Sequence, residues 1–304
     1  MCGKNESNSE HTPIKTNKQS VQLPLKVLNL RSYTTHNLHA SRVERLRVSL
    51  VHMKVRNDLN DNLNAAKQGI YKAAEQKPAF IALPEYFSVP NNMEDFTSAK
   101  DISKETCKPT FNFLTAVSKE VPDIYLMGGT VLEGDNDKFY NTSTLWCNGN
   151  LVGKYRKRNP IKAELEAGVS PGEQSVVLTT QYCKVGMLVC ADMFSRPTIK
   201  DVVDLGAELV FLPVAAMGSH PTVNGHPLTF RLAAENGIYL IKIGNVSSNA
   251  RGGRSAFITP WGIEQEVTDA LEDSVLTKDF NMEQLREYRK QIAKHSSSNP
   301  APQI

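Results

Sequence analysis

Residues 47–83, RVSLVHMKVRNDLNDNLNAAKQGIYKAAEQKPAFIAL, decide the fold. Arg47-Val48-Ser49-Leu50-Val51-His52-Met53 alternates like a strand, and Asn60 through Gln76 carries Leu63, Ala66, Ile70, Ala73 and Ala74 in a helical stripe. Ala79-Phe80-Ile81-Ala82-Leu83 is a short, fully apolar run. Strand, helix and strand in this succession predict a βαβ unit, and therefore a sheet covered on its faces by helices.

The same alternation continues downstream. Strands are expected at Ile124–Val131, Ser175–Thr179, Val185–Cys190, Leu209–Val214, Ile238–Ile243 and Ala256–Thr259, with a hairpin around Cys147-Asn148-Gly149-Asn150. Helices are expected at 197–206, Leu228–Asn236 and Met282–Ala293. Residues 1–41 are polar, rich in Asn, Ser, Thr and Lys, and aperiodic, so they read as a disordered or loosely attached tail. One α/β domain is expected over 42–295, with a frayed C-terminus at 296–304 where Pro300 and Pro302 stand.

Composition narrows the class of protein. A net charge of +3 over 304 residues gives no ground for a nucleic-acid or membrane partner. No uninterrupted apolar stretch of about 18 residues exists, so no spanning helix is expected, and Met1-Cys2-Gly3-Lys4-Asn5 opens no secretory signal. The five cysteines are odd in number and form no CxxC pair, which argues against a disulfide framework or a zinc site and for a reducing compartment.

Three ionisable residues stand at strand ends or in the loops beside them: Glu85 in Leu83-Pro84-Glu85, Lys157 in Gly153-Lys154-Tyr155-Arg156-Lys157, and Cys190 in Leu188-Val189-Cys190-Ala191-Asp192. Cys190 sits where a strand gives way to a helix start at Ser195-Arg196-Pro197, so nearby N–H groups are expected to favour its thiolate. A carboxylate can take the thiol proton, and an ammonium with the N–H of Ala191 can hold the oxyanion of an acyl-transfer intermediate. Each residue alone has a plainer reading: an inert core cysteine, a loop glutamate, a solvated lysine. Asp192 reads as a bond to local backbone N–H groups, Arg231 with Glu235 as a helical i,i+4 pair, and Cys107, Cys147 and Cys183 as structural.

Order changes the weight of the three. Leu83-Pro84-Glu85, Gly153-Lys154-Tyr155-Arg156-Lys157, Val185-Gly186-Met187-Leu188-Val189-Cys190-Ala191-Asp192, Leu205-Gly206-Ala207-Glu208-Leu209-Val210 and Arg231-Leu232-Ala233-Ala234-Glu235-Asn236-Gly237 follow one another, and in this the chain resembles the nitrilase, or carbon-nitrogen hydrolase, superfamily over most of 44–265. The resemblance implies a four-layer α-β-β-α sandwich, commonly dimerised. It maps a glutamate base onto Glu85, a lysine onto Lys157 and the nucleophile onto Cys190. A second glutamate falls on Glu164 or Glu166, with Glu164 favoured by its spacing from Lys157 and Pro160. Asn159 departs from the pattern, since a histidine is frequent there.

Tyr86, Ala191, Phe194 and His220 are taken as substrate-binding, and Arg196, His220 and His226 are candidate anchors for a carboxylate. The expected activity is cleavage of a small amide or N-carbamoyl compound through a cysteine thioester, without metal or organic cofactor. Nitrile cleavage and a catalytically weak scaffold are the alternatives. Nitrile-cleaving members usually place tryptophan and glutamate after the cysteine, whereas Ala191 and Asp192 stand here. A cytoplasmic homodimer or higher homo-oligomer acting on a small molecule completes the expectation.

Overall fold

The computed structural model describes residues 45–91, 98–215, 226–246, 254–267 and 271–298. The expected tail at 1–41, the residues after 298 and His220 lie outside them. The chain runs β1 (Arg45–Lys54), α1 (Leu59–Ala74), β2 (Phe80–Ala82), α2 (Ala99–Glu120), β3 (Tyr125–Asp135), β4 (Lys138–Cys147), β5 (Asn150–Arg156), α3 (Lys162–Glu166), β6 (Val177–Thr179), β7 (Lys184–Met187), α4 (Arg196–Asp204), β8 (Leu209–Val214), α5 (Pro227–Asn236), β9 (Tyr239–Val246), β10 (Ala256–Thr259), β11 (Gly262–Glu266), β12 (Ser274–Asn281) and α6 (Met282–Ser298).

The strands pair in the order β5-β4-β3-β2-β1-β9-β8-β7-β6, with β12 on β1 and β10 on β9. β1–β2–β3 and β7–β8–β9 are parallel, as the βαβ reading requires. Among the described residues, the strand pairing between the two halves runs from Met53 and Lys54 of β1 to Asn245 and Val246 of β9.

Alternation along the strands builds the layers. Leu46, Val48, Leu50, Phe80, Ala82 and Met127 from one half pack in a single cluster with Val185, Met187, Leu209, Phe211, Tyr239, Ile241 and Ile243 from the other. The two half-sheets therefore lie face to face. Their outer faces are covered separately: Val51, Met53 and Ile81 by α1 and α2, and Val210, Leu212 and Leu240 by α4 and α5. The expected four-layer α-β-β-α sandwich is what results.

Several elements escape the sequence reading. The 22-residue α2 carries Pro109 inside it and buries Ser103, Thr106, Thr110 and Ser118 alongside Leu114 and Val117, so polar residues interrupt its inward face. Thr106 and Thr110 donate to the carbonyls of Ile102 and Thr106, which satisfies their hydroxyls within the helix. β12 pairs antiparallel with eight residues of β1, although its polar, half-buried run gave no strand signal. α6 continues to Ser298, past the expected onset of fraying at 296. The expected strand Val185–Cys190 ends at Met187, and Cys190 opens a 3-10 turn to Phe194.

β3 changes register against β4 between Met127 and Thr130. Gly129 lies there at φ +56°, and a Cβ on it would stand 2.1 Å from the Pro84 carbonyl oxygen. The kink brings Thr130 Oγ1 to accept from the Tyr86 N–H at 3.0 Å, so β3 fixes the segment that carries Glu85. Gly129→Ala combines left-handed strain with a backbone clash, and should cost more than about 2 kcal/mol of stability. Urea unfolding should show a lowered midpoint; an unshifted one would contradict this close approach.

Candidate active site

Glu85, Lys157, Glu164 and Cys190 converge although they come from four separate segments. Glu85 follows β2, Lys157 follows β5, Glu164 sits in α3 and Cys190 follows β7. Lys157 donates to Glu85 Oε1 at 3.0 Å and to Glu164 Oε2 at 2.7 Å, and all three side chains are buried. The Cys190 thiol lies within electrostatic reach of Glu85, Lys157 and Glu164. Glu166, the alternative second glutamate, is 65% exposed and pairs with Lys162 at the surface.

Asn141, which sequence reasoning missed, ties the carboxylates together. Its Nδ2 donates to Glu85 Oε1 and to Glu164 Oε1, each at 2.8 Å. The Lys157 N–H donates to the Asn141 carbonyl, so the β4–β5 ladder sets both residues side by side. The only sequence signal was a polar residue at an inward position of a strand. Glu85 is also held from the far half-sheet: the Ala215 N–H donates to its Oε2 at 2.7 Å, and Asn245 Nδ2 to its carbonyl at 2.6 Å.

These surroundings push the two glutamates apart. Burial raises the Glu85 carboxyl above the usual range, with the Glu164 charge adding to it and Lys157 opposing. Burial also acts on Glu164, but the Lys157 charge outweighs it, helped by the Ile161 N–H and Asn141, and Glu164 stays below the usual range. Tyr86 donates its hydroxyl to Glu164 Oε1 at 2.8 Å, and burial beside the two carboxylates keeps that hydroxyl protonated. Lys157 is held ammonium, since Glu85, Cys190 and Glu164 together overcome its desolvation. The arrangement gives one fixed anion, one fixed cation and one carboxyl ready to exchange a proton.

The expected thiolate preference of Cys190 is corrected. Burial of the sulfur, with the Glu85 and Glu164 charges, pushes the thiol well above the ordinary range, and among the largest influences only Lys157 pulls the other way. The start of α4 does not offset this, because its cap, Ser195, stands five residues further on. Cys190 itself is left-handed at φ 43°, a conformation costing a non-glycine residue roughly 1–3 kcal/mol. Asp192 secures the turn: it accepts from the Val189 N–H at 2.9 Å, from Asn159 through both backbone and side chain, and from the Tyr155 hydroxyl at 2.7 Å. Asp192 thus does more than bond local backbone, and Asn159 supports the turn.

Tyr86 joins the cluster through its bond to Glu164, and Ala191 follows Cys190 in the chain. Phe194 does not join it: it is 52% exposed and lines, with Arg196 and Arg231, a surface cleft that none of the four clustered residues borders. Arg231 and Glu235 form the expected i,i+4 pair at 3.9 Å. His226 is buried at the head of α5, with Nε2 3.1 Å from Glu266 and Nδ1 3.5 Å from Lys242 Nζ. Cys107, Cys147 and Cys183 are free thiols, Cys183 buried and the other two partly so. Among the described residues no group of three or more His, Cys, Asp or Glu side chains is placed to hold a metal ion, and no helix is long and apolar enough to cross a membrane.

Burial, then the Lys242 charge, lowers His226 from 6.5 to about 4. Between these values the unfolded chain takes a proton that the folded protein refuses, so this contribution to stability is complete above pH 6.5 and is lost as pH falls towards 4. Urea unfolding between pH 7 and 4 should therefore show a shallower loss of stability in His226→Gln than in the wild type.

The carbon-nitrogen hydrolase family model matches residues 47–290. Omega-amidase NIT2-B of Xenopus laevis is 31% identical over 262 residues, covering 82% of this chain and 93% of that protein; human omega-amidase NIT2 is 28% identical over 260 residues, covering 81% and 92%. Among solved structures, Saccharomyces cerevisiae Nit3, a member of branch 10 of the nitrilase superfamily, superposes with a TM-score of 0.69 at 26% identity, over 86% of this chain and 96% of that one. An amidase of the nitrilase superfamily from Nesterenkonia shares the fold with a TM-score of 0.70 at 23% identity, over 82% and 96%. A family match over most of the chain, on a fold that brings Glu85, Lys157 and Cys190 together, has one consequence: the chain belongs to the carbon-nitrogen hydrolase family.

Proposed function

We propose that Cys190 is the nucleophile, Glu85 the proton carrier and Lys157 the oxyanion partner of an amidase acting on a small terminal amide. The protein is an amide-cleaving hydrolase of its family, and terminal-amide cleavage is carried over from the omega-amidases it resembles. The observation that carries the residue roles is the convergence on Cys190 of a Glu85 whose pKa is raised and of a Lys157 that donates to Glu85 at 3.0 Å and stays charged.

The steps follow from these protonation states. Glu85 accepts the Cys190 proton as sulfur attacks the amide carbonyl, and the oxyanion forms against the Lys157 ammonium and the Ala191 N–H. Glu85 then protonates the departing nitrogen, the C–N bond breaks, and a thioester with free ammonia or amine results. Water attacks the thioester, gives its proton to Glu85, and the acid leaves as the proton returns to sulfur. Glu164 keeps its charge throughout and holds Lys157 in place. The small Ala191 leaves room for the departing nitrogen, which favours amides over nitriles.

We further propose that the chain works in the cytoplasm as a homodimer or higher homo-oligomer. Phe194, Leu205 and Phe230, large and at least a third exposed on or beside α4 and α5, support an assembly through that face. Static light scattering should give at least twice the 33.7 kDa chain mass, and a monomer at micromolar concentration would refute it.

Acid-quenched protein incubated with a terminal amide should carry the acyl mass on the peptide containing Cys190. Cys190→Ala should lose both the adduct and ammonia release, by a factor of at least about a thousand. Near-native turnover in Cys190→Ala would overturn these assignments, whereas a higher kcat/KM for the matching nitrile would overturn only the substrate.

A further inference from the structure

Hydrogen-bond donors are spread unequally over the two buried glutamates, and one residue decides how. Each oxygen of an ionised carboxylate accepts one hydrogen bond through each of its two lone pairs. On Glu164 both oxygens are filled. Asn141 Nδ2 and the Tyr86 hydroxyl donate to Oε1, each at 2.8 Å, while Lys157 Nζ at 2.7 Å and the Ile161 N–H at 2.8 Å donate to Oε2. On Glu85, Lys157 Nζ at 3.0 Å and Asn141 Nδ2 at 2.8 Å fill Oε1, and Oε2 accepts from the Ala215 N–H at 2.7 Å. A proton reaching this pair of carboxylates therefore belongs on Oε2 of Glu85, because every other oxygen of the pair already accepts from two donors.

Asn141 is the side-chain amide common to both. It is buried on β4, on the strand face it shares with Leu145, between the half-sheets. Its carbonyl accepts from the Lys157 N–H at 2.8 Å, which sets it beside the segment that carries the ammonium. On the same strand the Phe139 carbonyl accepts from the Ser170 N–H at 2.7 Å, and the adjoining Val169 N–H donates to the Glu164 carbonyl at 2.8 Å, so the segment with the second glutamate is tied there too. The amide can face the pair in one orientation only. Turned over, Oδ1 would meet two carboxylate oxygens; as it stands, Oδ1 is buried without a partner among the described residues. A buried amide oxygen left unmatched is unfavourable, so the side chain is held by what its nitrogen does.

We propose that Asn141 is a positioning residue of the reaction: with one N–H on each glutamate, it closes Glu164 and Glu85 Oε1 to protons, so that Glu85 Oε2 alone carries the proton between sulfur, departing nitrogen and water. The inference rests on Cys190 being the nucleophile and Glu85 the proton carrier. In acylation the proton leaves sulfur for Oε2 as the S–C bond forms, and passes from Oε2 to nitrogen as the C–N bond breaks. In hydrolysis it leaves water for Oε2 as the new C–O bond forms, and returns to sulfur as the thioester breaks. Oε2 is also the oxygen that Ala215 holds from the far half-sheet, so the atom that carries the proton is fixed from both sheets.

Among the described residues, the titratable groups facing Glu85 are Lys157 after β5, Glu164 from α3, Cys190 from the turn after β7 and the neighbouring Tyr86. A donated N–H favours the ionised form of a carboxyl, so its loss raises the pH at which Glu85 gives up its proton. The test uses the full chain and a terminal amide, and follows acyl mass on the Cys190 peptide in acid-quenched single turnovers from pH 5 to 9. Wild type, Asn141→Leu and Asn141→Asp are compared, with kcat and KM measured alongside. Asn141→Asp keeps the shape of the side chain and loses its paired N–H donors.

Asn141→Leu should move the acid limb of acylation up by about one pH unit, slow acylation and thioester hydrolysis about tenfold each on the plateau, and leave KM within about twofold. Asn141→Asp should track Asn141→Leu and not the wild type. A folded Asn141→Leu whose acid limb overlays the wild type would overturn the proposal, as would an Asn141→Asp with wild-type rates. If Asn141→Leu does not fold, Asn141→Asp is read in its place. Neutron diffraction from wild-type crystals at a pD below the acid limb needs no variant: a deuteron on Glu85 Oε2 supports the proposal, and one on Oε1, one on Glu164 or none on either glutamate overturns it. Near-native turnover in Glu85→Gln would instead sink the Glu85 assignment on which the inference rests.

Discussion

One ammonium shared by two carboxylates organises this molecule. Lys157, Glu85 and Glu164 are all removed from water, which is costly for any one of them and tolerable for the three together only with further donors around the oxygens. Asn141, Tyr86, Ile161 and Ala215 supply those donors from four different parts of the chain. Removing one charge leaves another buried without compensation, typically at a cost of about 3–5 kcal/mol. The demand for donors explains why the β3 kink at Gly129, the left-handed Tyr86 and the β4–β5 ladder all press on the same few cubic ångströms.

The cluster divides its labour through unequal surroundings. Glu164 collects a hydroxyl, an amide, a backbone N–H and the ammonium, and so keeps its charge. Glu85 receives fewer donors and faces the charge of its neighbour, so a proton there is cheap to gain and to give back. Chemically equivalent side chains thereby become a permanent anion and a shuttle. The thiol follows the same logic. A resting sulfur kept protonated has no charge to be stabilised until substrate arrives, which places the need for cations at the moment of attack.

Much of this was legible in the sequence because strands with period two and helices capped by serine or aspartate write their own signals. Leu209–Val214 and Ala256–Thr259 were read to the residue, and Glu85, Lys157 and Cys190 stood out as charges or a thiol beside apolar runs. What stayed hidden shares one cause: polar residues buried by tertiary contact. α2 turns serines and threonines inward, β12 is half-buried and mixed, and Asn141 looks like any polar strand residue until its two carboxylates arrive from elsewhere. The choice between Glu164 and Glu166 needed the facing of a five-residue helix, α3, too short to show a periodicity. Lys242 was visible as a charge inside Tyr-Leu-Ile-Lys-Ile, but its neighbour His226 is separated from it by the whole of α5.

The narrow join between the half-sheets carries a last consequence. Asn245, one of the two residues of β9 that pair with β1 there, is also the residue whose side chain grips the Glu85 carbonyl, while Ala215 of the same half grips its carboxylate. Glu85 belongs to one slab and is moored to the other. Any slippage of the slabs, by even a fraction of a hydrogen-bond length, is written directly into the alignment of base and thiol. The enzyme is in this sense a vernier for its own architecture: turnover registers misalignment of the layers while each layer, taken by itself, is still intact.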